Sequence, residues 1–73
     1  MSILSERLRA LTKANNFLKK QVAEGSKIPL RTYHRYESGE REPTVSTLTA
    51  IADFFNVSTD YLLGRTDNPS ISR

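Results

Sequence analysis

The sequence predicts an all-α domain, a compact five-helix bundle, and three observations lead there. Apolar residues recur at intervals of three and four in several separate segments. No stretch of useful length alternates with a period of two, and no segment repeats. Gly, Asn, Ser and Pro fall between the apolar stripes, where helices stop and start. The chain has 73 residues, enough for one small domain, and a domain of that size buries only about 60% of its unfolded surface. A composition 37% hydrophobic and 26% charged suits a soluble globular chain and not a disordered or fibrous one.

The first segment, Ile3 to Asn15, sets Leu4, Leu8 and Leu11 on one side and Arg7, Arg9, Thr12 and Lys13 on the others, an amphipathic helix with Ser2 or Ser5 as its cap. Asn15 and Asn16 suit its end. A second, shorter helix from about Phe17 to Glu24 buries Phe17, Val22 and Ala23, and Gly25 and Ser26 stop it. In Ile28-Pro29-Leu30 the proline keeps Ile28 out of the helical region and presets its own backbone angle, so a third helix is expected to open at Pro29 and run to Ser38. Gly39 then supplies a left-handed cap. After the charged loop Glu40-Arg41-Glu42-Pro43, Thr44 caps a fourth helix whose stripe is Val45, Leu48, Ile51, Ala52 and Phe55. Ser58 caps a fifth, carrying Tyr61, Leu62 and Leu63, and Gly64 closes it. Residues 1–66 are thus one folded domain; 67–73 are expected to be a flexible polar tail or the start of a linker, with too little apolar surface to order itself.

Charge narrows the function classes. From Arg7 to Tyr36 eight basic residues face a single acidic one, Glu24, whereas from Glu37 onward three basic residues face six acidic ones; the net charge is +3. A basic half this dense suits a polyanion, because Lys and Arg that neutralise phosphates release counterions and gain affinity without reading sequence. The alternative is a solvated lysine-rich face. With no cysteine there are no disulfides, thiolate metal sites or thiol nucleophiles. His34 is the single histidine, with no second ligand for a metal and no partner for acid-base work. No metal, no cofactor and no catalysis are expected. No apolar run approaches the roughly 20 residues of a membrane span, and the start lacks the basic and apolar regions of a signal peptide, so a cytoplasmic protein is expected.

A short helix, a turn and a second helix opening near Pro29 form the arrangement in which one helix enters the DNA major groove. If Tyr33 and Tyr36 face the core, then Leu30, Arg31, Thr32, His34 and Arg35 cover the outward and forward faces, with Arg31 and Arg35 four apart on one side. Arginine gives two parallel hydrogen bonds to the O6 and N7 edge of guanine, worth about 1 to 3 kcal/mol of discrimination, and Leu30 can pack on a thymine methyl. The glycines read as turn and cap residues and not as a phosphate loop, since no strand or Walker pattern accompanies them.

Two stretches, RYESGEREPTVSTL at the end of that helix and FFNVSTDYLLG around the last one, resemble the lambda-repressor/Cro type of helix-turn-helix domain, also called the XRE family. The likeness runs from Ile3 to about Pro69. It implies a five-helix, lambda-repressor-like domain that binds operator DNA as a two-fold dimer on an inverted repeat and regulates transcription. By matching positions it implies base-reading or adjacent roles for Leu30, Arg31, Thr32 and Arg35, and phosphate contacts for Lys19 and Arg41. His34 and Lys27 stand beside these as additional DNA contacts. The chain departs from the family at several points. Leu18-Lys19 stands where Thr-Gln is usual, and Lys27 replaces the turn glycine, storing about 1 to 2 kcal/mol if it holds a positive φ, unless Gly25 allows a rearranged turn. Thr12 stands where a helix-one arginine commonly pairs with the glutamate equivalent to Glu37, so Glu37 is expected to pair with Arg41, four residues on. A phage-type or prophage-type repressor follows. The alternatives are the antitoxin of a toxin-antitoxin pair and a helical interaction module without sequence-specific DNA binding. The end of the chain suits both a small Cro-like protein and the amino-terminal domain of a longer repressor, with a carboxyl-terminal domain or partner protein beyond it.

Overall fold

A computed structural model of the chain describes residues 2–71. It holds α1 (Ile3–Ala14), α2 (Lys19–Gly25), α3 (Leu30–Ser38), α4 (Val45–Phe55) and α5 (Thr59–Leu62), and no strand among the described residues. Ser2 caps α1, its hydroxyl accepting from the Ser5 amide at 3.1 Å; Thr44 and Ser58 do the same for Thr47 and Tyr61. Leu18 cannot cap α2 with its side chain, but the Leu18 amide donates to Gln21 Oε1 at 2.7 Å, the returning half of a capping box. Pro29 does not open α3 as expected. Its ψ of 144° leaves it extended, one residue before the helix, where its carbonyl accepts from Thr32 and Tyr33.

All five helices end the same way. A residue with positive φ follows the last turn (Asn16, Lys27, Gly39, Asn56, Gly64), and the next amide reaches back five residues, to Thr12, Ala23, Arg35, Ala52 and Asp60 respectively. This is the Schellman arrangement, which satisfies carbonyls the helix leaves open. Four of the five sites carry Gly or Asn, the residues that tolerate it; Lys27, at φ 59°, does not and carries the strain of about 1 to 2 kcal/mol. Gly25 therefore does not rearrange the turn. It lies inside α2, where a Cβ would overlap the Phe54 ring, so glycine there serves close packing of α2 on α4.

The core gathers Leu4 and Leu8 of α1, Val22 and Ala23 of α2, Tyr33 and Tyr36 of α3, Leu48, Ile51, Ala52 and Phe55 of α4, then Val57 and Leu62. Phe17, Phe54 and Phe55 stack at ring separations of 5.1 to 6.1 Å and seal the α2–α4 side. α3 packs on both α1 and α2, while α5 closes against α1 and α4. Val45 departs from its expected place in the core. Standing first on α4, before the helix reaches its neighbours, it is 82% exposed.

The start of the expected tail meets the folded domain, through a partner sixty residues away. The Arg7 guanidinium donates to the carbonyls of Tyr61 and Thr66 at 2.7 Å each and to Asp67 at 2.9 Å, and stacks 4.1 Å over the Tyr61 ring. Ser58 N–H then donates to the Pro69 carbonyl. Polar contacts, which an apolar count overlooks, thus hold residues 66–69; residues 72–73 lie outside the described part.

Candidate nucleic-acid interface

Burial divides α3 lengthwise. Tyr33, Tyr36 and Glu37 point into the protein, whereas Leu30, Arg31, His34 and Arg35 are exposed and Thr32 is half-buried at the border. Arg31 and Arg35, one turn apart, form no ion pair among the described residues, so both guanidinia keep their full donor forks for an outside acceptor. Leu30, the first residue of the helix, is 40% exposed at its leading end. Arg41 lies exposed in the loop that Gly39 turns away from α3 and forms no ion pair among the described residues. Lys27 is exposed in the turn before α3.

Glu37 does not pair with Arg41. The helix ends at Ser38, so Arg41 is beyond the left-handed turn and not on the next turn above Glu37, whose carboxylate is buried among α1, α2 and α3. There Oε2 accepts from the Thr12 hydroxyl at 3.3 Å, and Lys19 Nζ stands 3.1 Å from Oε1. That ammonium is close enough to offset the charge but not aligned as a hydrogen-bond donor, leaving Oε1 with no directional partner. Thr12 is the hub: its one hydroxyl proton lies between the Leu8 carbonyl, at 2.7 Å, and Glu37, and its oxygen stands 2.9 Å from the Tyr33 hydroxyl, a contact in which either group can donate. This network ties the start of α2 and the middle of α1 to the inner face of α3.

Burial holds the Tyr33 phenol well above its ordinary value; the Thr12 hydrogen bond opposes this, and the charge of Glu37 adds to it. A raised phenol keeps its proton in the folded state after the unfolded chain has lost it. The resulting stability is complete below about pH 10 and is lost as the pH climbs beyond, by about 1.4 kcal/mol per unit. In urea titrations at a series of alkaline pH values, Tyr33→Phe therefore flattens the fall in stability. Parallel curves for the two proteins would remove Tyr33 as its source.

Sequence reasoning missed two cations that are already engaged, Arg7 by Asp67 and Lys19 by Glu37; nothing local to either residue signals its partner. Among the described residues no group of three or more His, Cys, Asp or Glu side chains converges as a metal site, and none of the helices is long and apolar enough to cross a membrane.

Two short helices set across a left-handed turn, the second presenting an unpaired arginine face, define a helix-turn-helix unit. The chain belongs to the helix-turn-helix family, of the lambda-repressor/Cro (XRE) type: the family matches over residues 8–62. It is similar to the cryptic phage CTXphi transcriptional repressor RstR of Vibrio cholerae, 44% identical over 62 residues, which are 85% of this chain and 55% of that protein. It is also similar to the HTH-type transcriptional regulator ImmR of Bacillus subtilis, 36% identical over 85% of this chain and 49% of the relative. A crystal structure of a transcriptional regulator from Listeria innocua superposes with a TM-score of 0.77 at 34% identity, covering 84% of this chain and 57% of that one. The chain spans about half the length of the curated relatives it matches.

Proposed function

We propose that the chain is a sequence-specific DNA-binding module of a transcriptional regulator, of the phage-repressor kind, acting on double-stranded operator DNA in the cytoplasm. The observation that carries this reading is the divided α3: a buried tyrosine stripe fixes the helix, and two arginines that form no ion pair among the described residues face outward with Leu30. Arg31 and Arg35 read guanine edges, Leu30 and Thr32 meet neighbouring bases, and Lys19 and Arg41 fix the register on phosphates, with His34 and Lys27 beside them. Family membership and the repressor name carried by RstR support it. The mechanism is occupancy of a promoter, and it requires no cofactor.

A homodimer on an inverted repeat belongs to the same proposal. Around the last helix Val57 and Leu62 are buried in the core and Tyr61 is half-buried; Leu63 stays exposed and shares a groove with Ile3, Pro43 and Leu48.

Selection of bound sequences from a random-duplex pool at physiological salt tests this reading. An enriched inverted repeat with half-sites about one helical turn apart is the expected result; a single enriched half-site assigns a monomeric reader. A folded protein that enriches nothing overturns the proposal in favour of an interaction module.

A further inference from the structure

We propose that DNA-backbone contact continues beyond α2 onto the second half of α1, with Arg9 and Lys13 as two further phosphate-binding residues. The proposal rests on the DNA-binding reading above and extends its footprint.

A cleft of about 360 Å³ opens between the second half of α1 and the start of α2. Arg9 and Lys13 stand on its α1 side, Leu18 and Lys19 on its α2 side, and Thr12 and Glu37 also line it. Three cations and one carboxylate thus face a single opening. That carboxylate is 3% exposed and is already opposed by Lys19, so the charges of Arg9 and Lys13 stand in excess. Neither forms an ion pair among the described residues, although Glu6 lies within three residues of Arg9 on the same helix. Arg7, their neighbour in sequence, is turned the other way and spent on Asp67.

Position also matters. Residues 9 and 13 are four apart and share one face of α1, separated by about 6 Å along its axis, so they present two charges in a row and not one cluster. The row leads into Lys19, the residue proposed to hold a phosphate from α2. A linear polyanion with regularly spaced charges fits such a track better than a compact anion does, because each residue neutralises its own phosphate. An acidic protein segment is the competing occupant.

The test compares wild-type, Arg9→Gln, Lys13→Gln and the double variant on the duplex enriched by selection, by fluorescence anisotropy between about 50 and 200 mM salt. Arg65→Gln is the control, since Arg65 lies beyond α5 beside Asp60. Each single variant should lower the slope of log affinity against log salt by about 0.9, so that the wild-type advantage shrinks about threefold over that range, and the double variant by nearly two. The ranking of duplex sequences should not change, because phosphates carry no base identity. Unchanged slopes in both single variants, with wild-type binding intact, overturn the α1 track alone and direct attention to an acidic protein partner. An equal drop from Arg65→Gln also overturns it, because net charge then explains the effect. Absence of salt-dependent binding by the wild type overturns the DNA reading itself.

Discussion

Thr12→Val should lower the stability of the domain by about 2 to 4 kcal/mol, although the side chain keeps its shape and nearly its volume. The cost lies in what the lost hydroxyl leaves behind. Tyr33 is wholly buried and Thr12 is the side chain its hydroxyl meets, at 2.9 Å; Glu37 is 3% exposed and loses its donor to Oε2 while Oε1 already lacks one. A buried polar group without a partner costs about 1 to 3 kcal/mol, more when charged, and here there are two. Against a total of roughly 4 to 11 kcal/mol for a domain of this length, that is a large share. Urea unfolding of Thr12→Val, Tyr33→Phe and the double variant measures it. Removing the phenol should recover part of the loss in the valine background, giving a coupling of about 1 kcal/mol between two side chains 21 residues apart. A loss under about 0.5 kcal/mol in Thr12→Val, the range of plain surface substitutions, would mean that water takes the place of the hydroxyl.

That network also marks where reading the sequence reaches its limit. The helices themselves were legible from their stripes at spacings of three and four, and α1, α4 and α5 also from a hydroxyl before each and a Gly or Asn after it. Leu4, Leu8, Val22, Tyr33, Leu48, Ile51 and Leu62 are buried on those stripes. The errors share one origin: a local pattern does not contain the partner. Gly25 looks like a helix stop until the Phe54 ring arrives from α4, and Lys27 then has to bend where glycine would be easier. Glu37 has an arginine four residues ahead and pairs instead with a lysine eighteen residues behind. Arg7 counts as one more cation in a basic half until the chain returns to lay Tyr61, Thr66 and Asp67 around it. The exposed face of α3 was legible for the converse reason, since it needs no partner within the chain.

Arg31→Ala should weaken binding to the selected duplex by about 5- to 150-fold, the equivalent of 1 to 3 kcal/mol for a well-made guanine contact. The same substitution should leave affinity for unrelated duplexes almost unchanged and relax the preference at one base pair per half-site. Arg41→Ala should do the opposite, weakening all duplexes alike and lowering the salt slope by about 0.9. Arg41 is the right comparison and Lys19 is not. Both are proposed phosphate contacts, but Lys19 is the cation that offsets the buried Glu37 carboxylate, so its removal would mix lost binding with an uncompensated buried charge. Arg41 is exposed and unpaired among the described residues, and its loss reports on DNA alone. Affinities for the selected duplex and its single-base variants, measured for both proteins over a range of salt, separate the two roles. If Arg31→Ala lowers affinity for every sequence equally, α3 lies along the backbone and not in the groove, and specificity must come from elsewhere in the footprint. If it loses affinity only where a guanine is present, the unpaired face of α3 is the reading head, held at its working angle by the Tyr33 and Glu37 network behind it.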